Sequence, residues 1–177
     1  MKPPKQLSGE QLWDYALKTL GARAQAAGEL REKLRRRAER AADVDDVIAR
    51  LKEYGFLDDR RFAENYAARR LENEGFGKMR VLADLRGRRV AGGIADQAVR
   101  SAFEGTDEMQ LAEQFLARKF RRTPIGEVIA DEKGMASAYR KLRTAGFSHG
   151  TAIKVLKRHA QAAENLDVME EEPPAES

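Results

Sequence analysis

The chain has no cysteine in its 177 residues, which excludes a disulfide framework, thiolate metal sites and thiol catalysis together. Proline is scarce, and its five residues fall at the two ends and at Pro124, so helices can run through the middle with little interruption. Aromatics make up only 7%, which implies thin cores. No stretch approaches the ~18 consecutive apolar residues that a membrane span needs, and the N-terminus lacks the apolar region of a signal peptide. A cytoplasmic location with no membrane partner is therefore expected. The only histidines are His149 and His159, ten residues apart instead of the i, i+4 spacing that pairs two imidazoles on one helix face for a metal. They read as ordinary surface residues.

What the chain has in excess is charge, 35% against about 25% in an average soluble domain. The net charge of +4 hides an asymmetry. Glu164, Asp167, Glu170, Glu171, Glu172 and Glu176 lie in the last fourteen residues with no Lys or Arg among them; residues 1–163 keep 23 acids against 33 cations, a net +10. A basic body suggests a polyanionic partner or an acidic protein surface, and the acidic end reads as a solubilising disordered tail.

Apolar residues recur at helical spacing throughout, and no strand pattern interrupts them. Ser8 and Gln11 form a capping box ahead of Leu12, Ala16, Leu17 and Leu20. Leu30 and Leu34 mark a second helix. Asp43 is expected to cap a third, with Val44, Val47, Ile48, Leu51 and Tyr54 as its stripe and Gly55-Phe56 as a left-handed stop with its apolar contact. Asp58 restarts the chain, Gly75-Phe76 and Gly146-Phe147 supply further stops, Thr106 is expected to cap a seventh helix, an eighth lies between Asp131 and Ala145, and Ser148 caps a ninth. The nine helices fall into three groups spaced by close to fifty residues. The expected fold is all-α, an elongated tandem array of three degenerate three-helix modules at 9–57, 58–105 and 106–163, with an N-terminal extension at 1–8 and the tail at 164–177. An irregular helical bundle is the alternative.

No catalytic grouping is apparent. Gly75-Phe76-Gly77-Lys78 has a phosphate-loop look, but Glu72 stands where the first glycine belongs, Met79 replaces the magnesium-holding hydroxyl, and Arg80 occupies the third glycine of a dinucleotide fingerprint. Asp58 and Asp59 are adjacent at a helix start, so they do not face each other as a proton-sharing dyad, and both read as N-capping groups for the fourth helix. No enzyme activity and no cofactor are expected.

The strongest chemical feature is a series of cationic groups: Arg35, Arg36 and Arg37 with Arg40; Arg60 and Arg61; Arg69 and Arg70; Arg86 with Arg88 and Arg89; Arg118 and Lys119 with Arg121 and Arg122; and Lys157 with Arg158. Arginine dominates, and it suits bidentate contacts to phosphate or carboxylate. All but Arg60 and Arg61 fall near a helix C-terminus, where a cation complements the dipole for ~0.3–1 kcal/mol. One cation per end would suffice for that, so a partner surface and dipole complementation both fit the pattern.

The segment Tyr54-Gly55-Phe56-Leu57-Asp58-Asp59, continuing through Phe62-Ala63 to Tyr66, resembles the hallmark segment of the RecX family. Further family-like pieces flank it, among them Ala16-Leu17 with Arg23, Glu29-Leu30 with Leu34, Val47-Ile48 with Leu51, Gly77 with Arg80, Asp84-Leu85 and Gly146-Phe147-Ser148. The likeness spans about residues 12 to 160. Two positions depart from it: Ala26 stands where the family often has a capping Ser, and Arg89 where a Gly before an apolar residue is usual. The resemblance implies three tandem three-helix modules, no cofactor, a monomer, and binding along the helical groove of the RecA filament on single-stranded DNA. There the protein would hinder ATP turnover, filament growth and strand exchange, modulating recombinational DNA repair and the SOS response. A basic helical protein binding DNA weakly through phosphate contacts is the alternative, although no helix shows Asn or Gln beside Arg in its first turns as a base-reading helix would.

Overall fold

The computed structural model describes the backbone of residues 6–171 and the side chains of residues 6–161. The fold is all-α. Among the described residues ten α-helices follow one another as α1 (Gly9–Ala22), α2 (Ala27–Arg35), α3 (Ala41–Glu53), α4 (Asp59–Arg69), α5 (Lys78–Gly87), α6 (Gly92–Ala102), α7 (Glu108–Lys119), α8 (Ile125–Val128), α9 (Glu132–Thr144) and α10 (His149–Glu171). A π-helical turn, Arg70–Glu74, prolongs α4. The only extended pairing among the described residues is an isolated bridge between Leu7 and Ala38. The additional helix relative to the sequence expectation is the short α8, started by Pro124 as its N-cap. α10 runs on to Glu171, into the stretch expected as an acidic tail, whose last residues lie outside the described residues.

The chain divides into two compact units. Unit 1 comprises residues up to Ala68 together with Leu82–Ala102. Its core is built from the stripes of α1 to α3, with Leu12, Ala16, Leu30, Leu34, Val44, Val47, Ile48, Leu51 and Leu57 buried together. Each buried Leu, Val or Ile side chain contributes about 1.5–3 kcal/mol. The capping box forms as expected, with Ser8 N–H donating to Gln11 Oε1 at 3.3 Å. α3 starts three residues earlier than expected, with Arg40 and not Asp43 at its N-cap. Asp43 is buried in the first turn and accepts from Arg40 Nη2 at 2.7 Å and Nε at 3.2 Å.

The acid pair at the start of α4 divides its work. Asp58 Oδ1 accepts from the N–H groups of Arg60 and Arg61, both at 3.0 Å, and so caps its own helix. Asp59 Oδ1 instead accepts from Ala27 N–H at 2.7 Å. Ala26, the N-cap of α2, has no side-chain oxygen to offer, so the cap that a serine would supply locally comes from 32 residues further along the chain.

α3 ends at Gly55, which has φ +73°, with Gly55 N–H donating to Lys52 O and Phe56 N–H to Leu51 O. That is the expected Schellman stop. Its apolar partner is not Phe56, which is exposed; Leu57 N–H also reaches Leu51 O, and it is Leu57 that is buried.

Unit 2 comprises Arg69–Val81 and residues from Phe103 onward. Leu111, Ala112, Phe115 and Leu116 of α7, Ala138 and Leu142 of α9, and Ala152, Val155 and Leu156 of α10 are buried around Phe147. The Phe115 and Phe147 rings meet at 5.6 Å. Asp107, one residue after the expected Thr106, caps α7, accepting from Met109 N–H at 2.8 Å. Ser148 caps α10 as expected, and Glu108 reinforces it by accepting from Ser148 N–H at 3.0 Å and Thr151 Oγ1 at 2.7 Å.

The glycine-rich stretch before α5 has a packing role. Gly77 N–H donates to Ala145 O at 2.8 Å, and Met79 N–H to Gly146 O at 3.2 Å. A Cβ on Gly77 would lie 2.4 Å from Gly146 O. The two backbones meet at a distance no side chain tolerates, which accounts for the phosphate-loop look.

Candidate partner-binding surface

The structure sorts the seventeen candidate cations by what already holds them. Several stabilise the fold. Arg118 donates to the carbonyls of Asn73 and Glu74, both at 3.2 Å, and closes the end of the π-helical turn. Arg88 reaches Glu29 at 3.2 Å and lies 4.9 Å from the centre of the Tyr66 ring. Arg158 pairs with Glu113 at 2.6 Å, Arg86 with Asp96 at 3.2 Å, and Arg70 with Glu74 at 3.1 Å. Arg36 and Arg89 share Glu32 at 3.7 Å each. Arg40 is held by Asp43, whose hydrogen bonds and charge keep the guanidinium more firmly protonated than usual. Arg37 covers the Tyr15 ring at 4.6 Å, and Lys119 the Phe115 ring at 5.5 Å.

The others, Arg35, Arg60, Arg61, Arg69, Arg121, Arg122 and Lys157, are exposed and have no ion pair to a described residue. Within the triplet Arg35-Arg36-Arg37 with Arg40, Arg35 alone has neither a local acid nor a ring beside it, while Arg36 and Arg40 stay largely exposed despite their pairs.

Sequence patterning missed an aromatic cluster on unit 1. Tyr54, expected on the buried stripe of α3, is 63% exposed, and Phe56 is 53% exposed. Both rings meet half-buried Trp13 edge-on, at 5.9 Å and 6.4 Å, and Arg50 lies over the Trp13 ring at 4.2 Å. Tyr54 is the C-cap of α3, one residue past the last regular turn, so the stripe no longer carries it inward. The signal available in the sequence was the crowding of Tyr54 and Phe56 around a glycine that fixes the chain direction. Trp, Tyr and Arg are the residues that dominate binding energy at protein interfaces, because large rigid rings give contact area at little entropic loss.

No group of three or more His, Asp or Glu among the described residues is arranged to hold a metal ion, and no helix among them is long and apolar enough to cross a membrane.

Comparison with known proteins supplies an independent line. A family model described as "RecX, second three-helix domain" matches residues 58–99. The regulatory protein RecX of Halorhodospira halophila is 35% identical over 160 residues, covering 90% of this chain and 92% of that protein. The regulatory protein RecX of Deinococcus radiodurans is 34% identical over 152 residues, covering 86% and 70%. The crystal structure of RecX from Lactobacillus salivarius superposes with a TM-score of 0.61 at 17% identity, covering 86% of this chain and 97% of that one, which establishes the likeness of fold.

Proposed function

This chain belongs to the RecX family, and from that premise we propose that it is a non-enzymatic cytoplasmic regulator that binds the RecA filament on single-stranded DNA. As a monomer without a cofactor, it restrains ATP hydrolysis, filament extension and strand exchange, and so modulates recombinational repair and the SOS response. In this reading three modules, at 9–57, 58–105 and 106–163, meet successive subunits of a repeating partner.

The observation that carries the reading is the exposed cluster of Tyr54 and Phe56 beside Trp13 and Arg50. Rings left more than half exposed in a chain this short of aromatics have no folding reason to be there, whereas a protein partner would cover them. The uncommitted cations Arg35, Arg60, Arg61, Arg69, Arg121, Arg122 and Lys157 add electrostatic steering toward an acidic partner, which acts mainly on association rate.

The test is a titration of the protein into RecA on single-stranded DNA while ATP hydrolysis is followed. The wild type is expected to inhibit, and Tyr54→Ala combined with Phe56→Ala to need at least tenfold more protein while melting within a few degrees of it. No inhibition by the folded wild type would overturn the proposal.

The seven uncommitted cations also favour a second reading, direct binding to DNA phosphates. Its mark is an affinity for naked DNA that falls steeply with salt, because each neutralised phosphate releases counterions.

A further inference from the structure

Unit 2 carries an open groove of about 490 Å³ that is not part of the aromatic cluster. Arg80 from α5, Lys119 from the end of α7, and Arg140 and Lys141 from α9 line it, over an apolar floor of Phe76 and Phe115. No carboxylate is among its lining residues. Four cations from three helices thus line one hollow, and three of them, Lys119, Arg140 and Lys141, have no ion pair to a described residue.

Helix-dipole complementation does not account for this arrangement. The last turn of α9 already carries Arg143 beside Lys141, and one cation there suffices for the dipole, so Arg140 and one of that pair are surplus to it. Lys141 rests 5.8 Å from the Phe120 ring and Lys119 5.5 Å from the Phe115 ring, contacts that orient the ammonium groups without neutralising them. Arg140 has no ion pair to a described residue. Like charges this close repel one another, and an anionic occupant removes that repulsion.

The floor decides which anion fits. A single-stranded nucleic acid would stack its bases on free ring faces. Phe76 already has Arg70 at 5.7 Å and Arg80 at 5.5 Å from its ring centre, and Phe115 is 3% exposed against Phe147 and Lys119. Phe115 therefore offers no ring face, and the half-buried Phe76 leaves apolar surface for one side chain and not for a run of stacked bases. An apolar side chain flanked by carboxylates would fill the floor and meet the rim together.

We propose that this groove is a docking site for an acidic peptide segment of a partner protein, with one aliphatic side chain against Phe76 and carboxylates on Lys119, Arg140 and Lys141. This deepens the filament-binding reading and rests on it for the identity of the partner, but the site itself is testable without RecA.

The experiment uses the full-length protein and a fluorescein-labelled peptide of sequence Glu-Leu-Glu-Glu-Leu-Glu, read by anisotropy at low salt. The wild type is expected to bind, Arg140→Glu with Lys141→Glu to weaken binding at least tenfold, and the charge-matched Lys18→Glu with Lys154→Glu to stay within threefold. A peptide with Ser in place of both Leu residues is expected to bind at least fivefold more weakly. Circular dichroism melts check that both variants fold, and Arg140→Ala with Lys141→Ala, a milder change, is expected to give an intermediate loss. Equal losses in the groove and control variants would overturn the proposal, as would indifference to leucine, or displacement of the peptide by oligo(dT) that depends on Arg140 and Lys141. So would a more than tenfold gain in peptide affinity on removing residues 164–177, which would make the chain's own acidic end the occupant. Failure with the peptide leaves RecA inhibition standing, and loss of RecA inhibition leaves peptide binding standing, so the two readings fail separately.

Discussion

Glu29 shows how single residues hold unit 1. Its carboxylate receives Arg23 at 2.5 Å, Arg88 at 3.2 Å and Lys33 at 3.4 Å, and its side chain is 18% exposed. Burial alone would raise its pKa, but the hydrogen bond and charge of Arg23, with Lys33 behind it, outweigh that and hold the group below its ordinary value of 4.5. A pKa lowered by folding contributes stability that is fully present above the unfolded value and is lost as the pH falls through the folded one. Glu29→Gln is therefore expected to destabilise the protein by about 1–2 kcal/mol at neutral pH, with the gap to wild type closing as the pH drops below 4.5. Urea unfolding at pH 7 and pH 3.5 measures this, and a gap that stays constant would show that Glu29 acts through packing and not through charge. The same residue explains why the cationic clusters could be listed from the sequence but not sorted: Arg88 lies 59 residues from Glu29, and Arg158 lies 45 from Glu113. Local patterning sees a helix end in each case and cannot see the acid that answers it.

Among the elements, the helix ends divide the legible from the illegible. Gly55 and Gly146 announce their stops because glycine enters the left-handed region without strain, and both helices end there. α5 ends the same way without announcing it. Arg89 has φ +60°, its N–H donates to Arg86 O at 2.8 Å, and Val90 N–H donates to Leu85 O at 3.2 Å with both apolar partners buried. Arginine thus stands at a glycine position, as its departure from the RecX pattern foreshadowed, and the left-handed backbone opposes the fold there by about 1–2 kcal/mol. Arg89→Gly removes that strain. Against it stand the greater chain entropy of glycine when unfolded, roughly 0.5–1 kcal/mol, and the exposed pair with Glu32, worth a few tenths at most. The variant is expected to melt at the wild-type temperature or a few degrees above it; a loss above about 1 kcal/mol would show that the arginine side chain carries more than its pair with Glu32. α3 and α7 were misplaced at their starts for a related reason. Arg40 sits in a cap position that arginine rarely takes, and Thr106 and Asp107 are both good caps in adjacent positions, so composition does not choose between them.

At the scale of the whole molecule, the periodic stripes made the all-α architecture readable, whereas the docking of Arg69–Val81 was not, because it rests on backbone contacts that leave no pattern in side-chain type. That segment belongs with the residues from Phe103 onward, through Gly77 on Ala145 and Met79 on Gly146. A chain ending at Gly105 therefore keeps the core of α1 to α3 intact but removes every one of those partners, together with the caps that Arg118 supplies to Asn73 and Glu74. Such a truncated chain is expected to retain a cooperative helical melt from unit 1, with amides of Arg69–Val81 exchanging far faster than in the full protein. It also keeps the aromatic cluster at Tyr54 and Phe56 but loses the groove. If the protein binds a repeating filament through more than one weak site, linkage raises the effective concentration of the second contact, and avidity exceeds a single contact by ~10²–10⁴. Truncation is then expected to weaken inhibition of RecA ATP hydrolysis at least tenfold relative to residues 1–163, while removal of residues 164–177 alone changes little. Should the folded, truncated chain inhibit as well as residues 1–163 do, a single site around Trp13, Arg50, Tyr54 and Phe56 would carry the whole function, and the multi-site mechanism would be wrong.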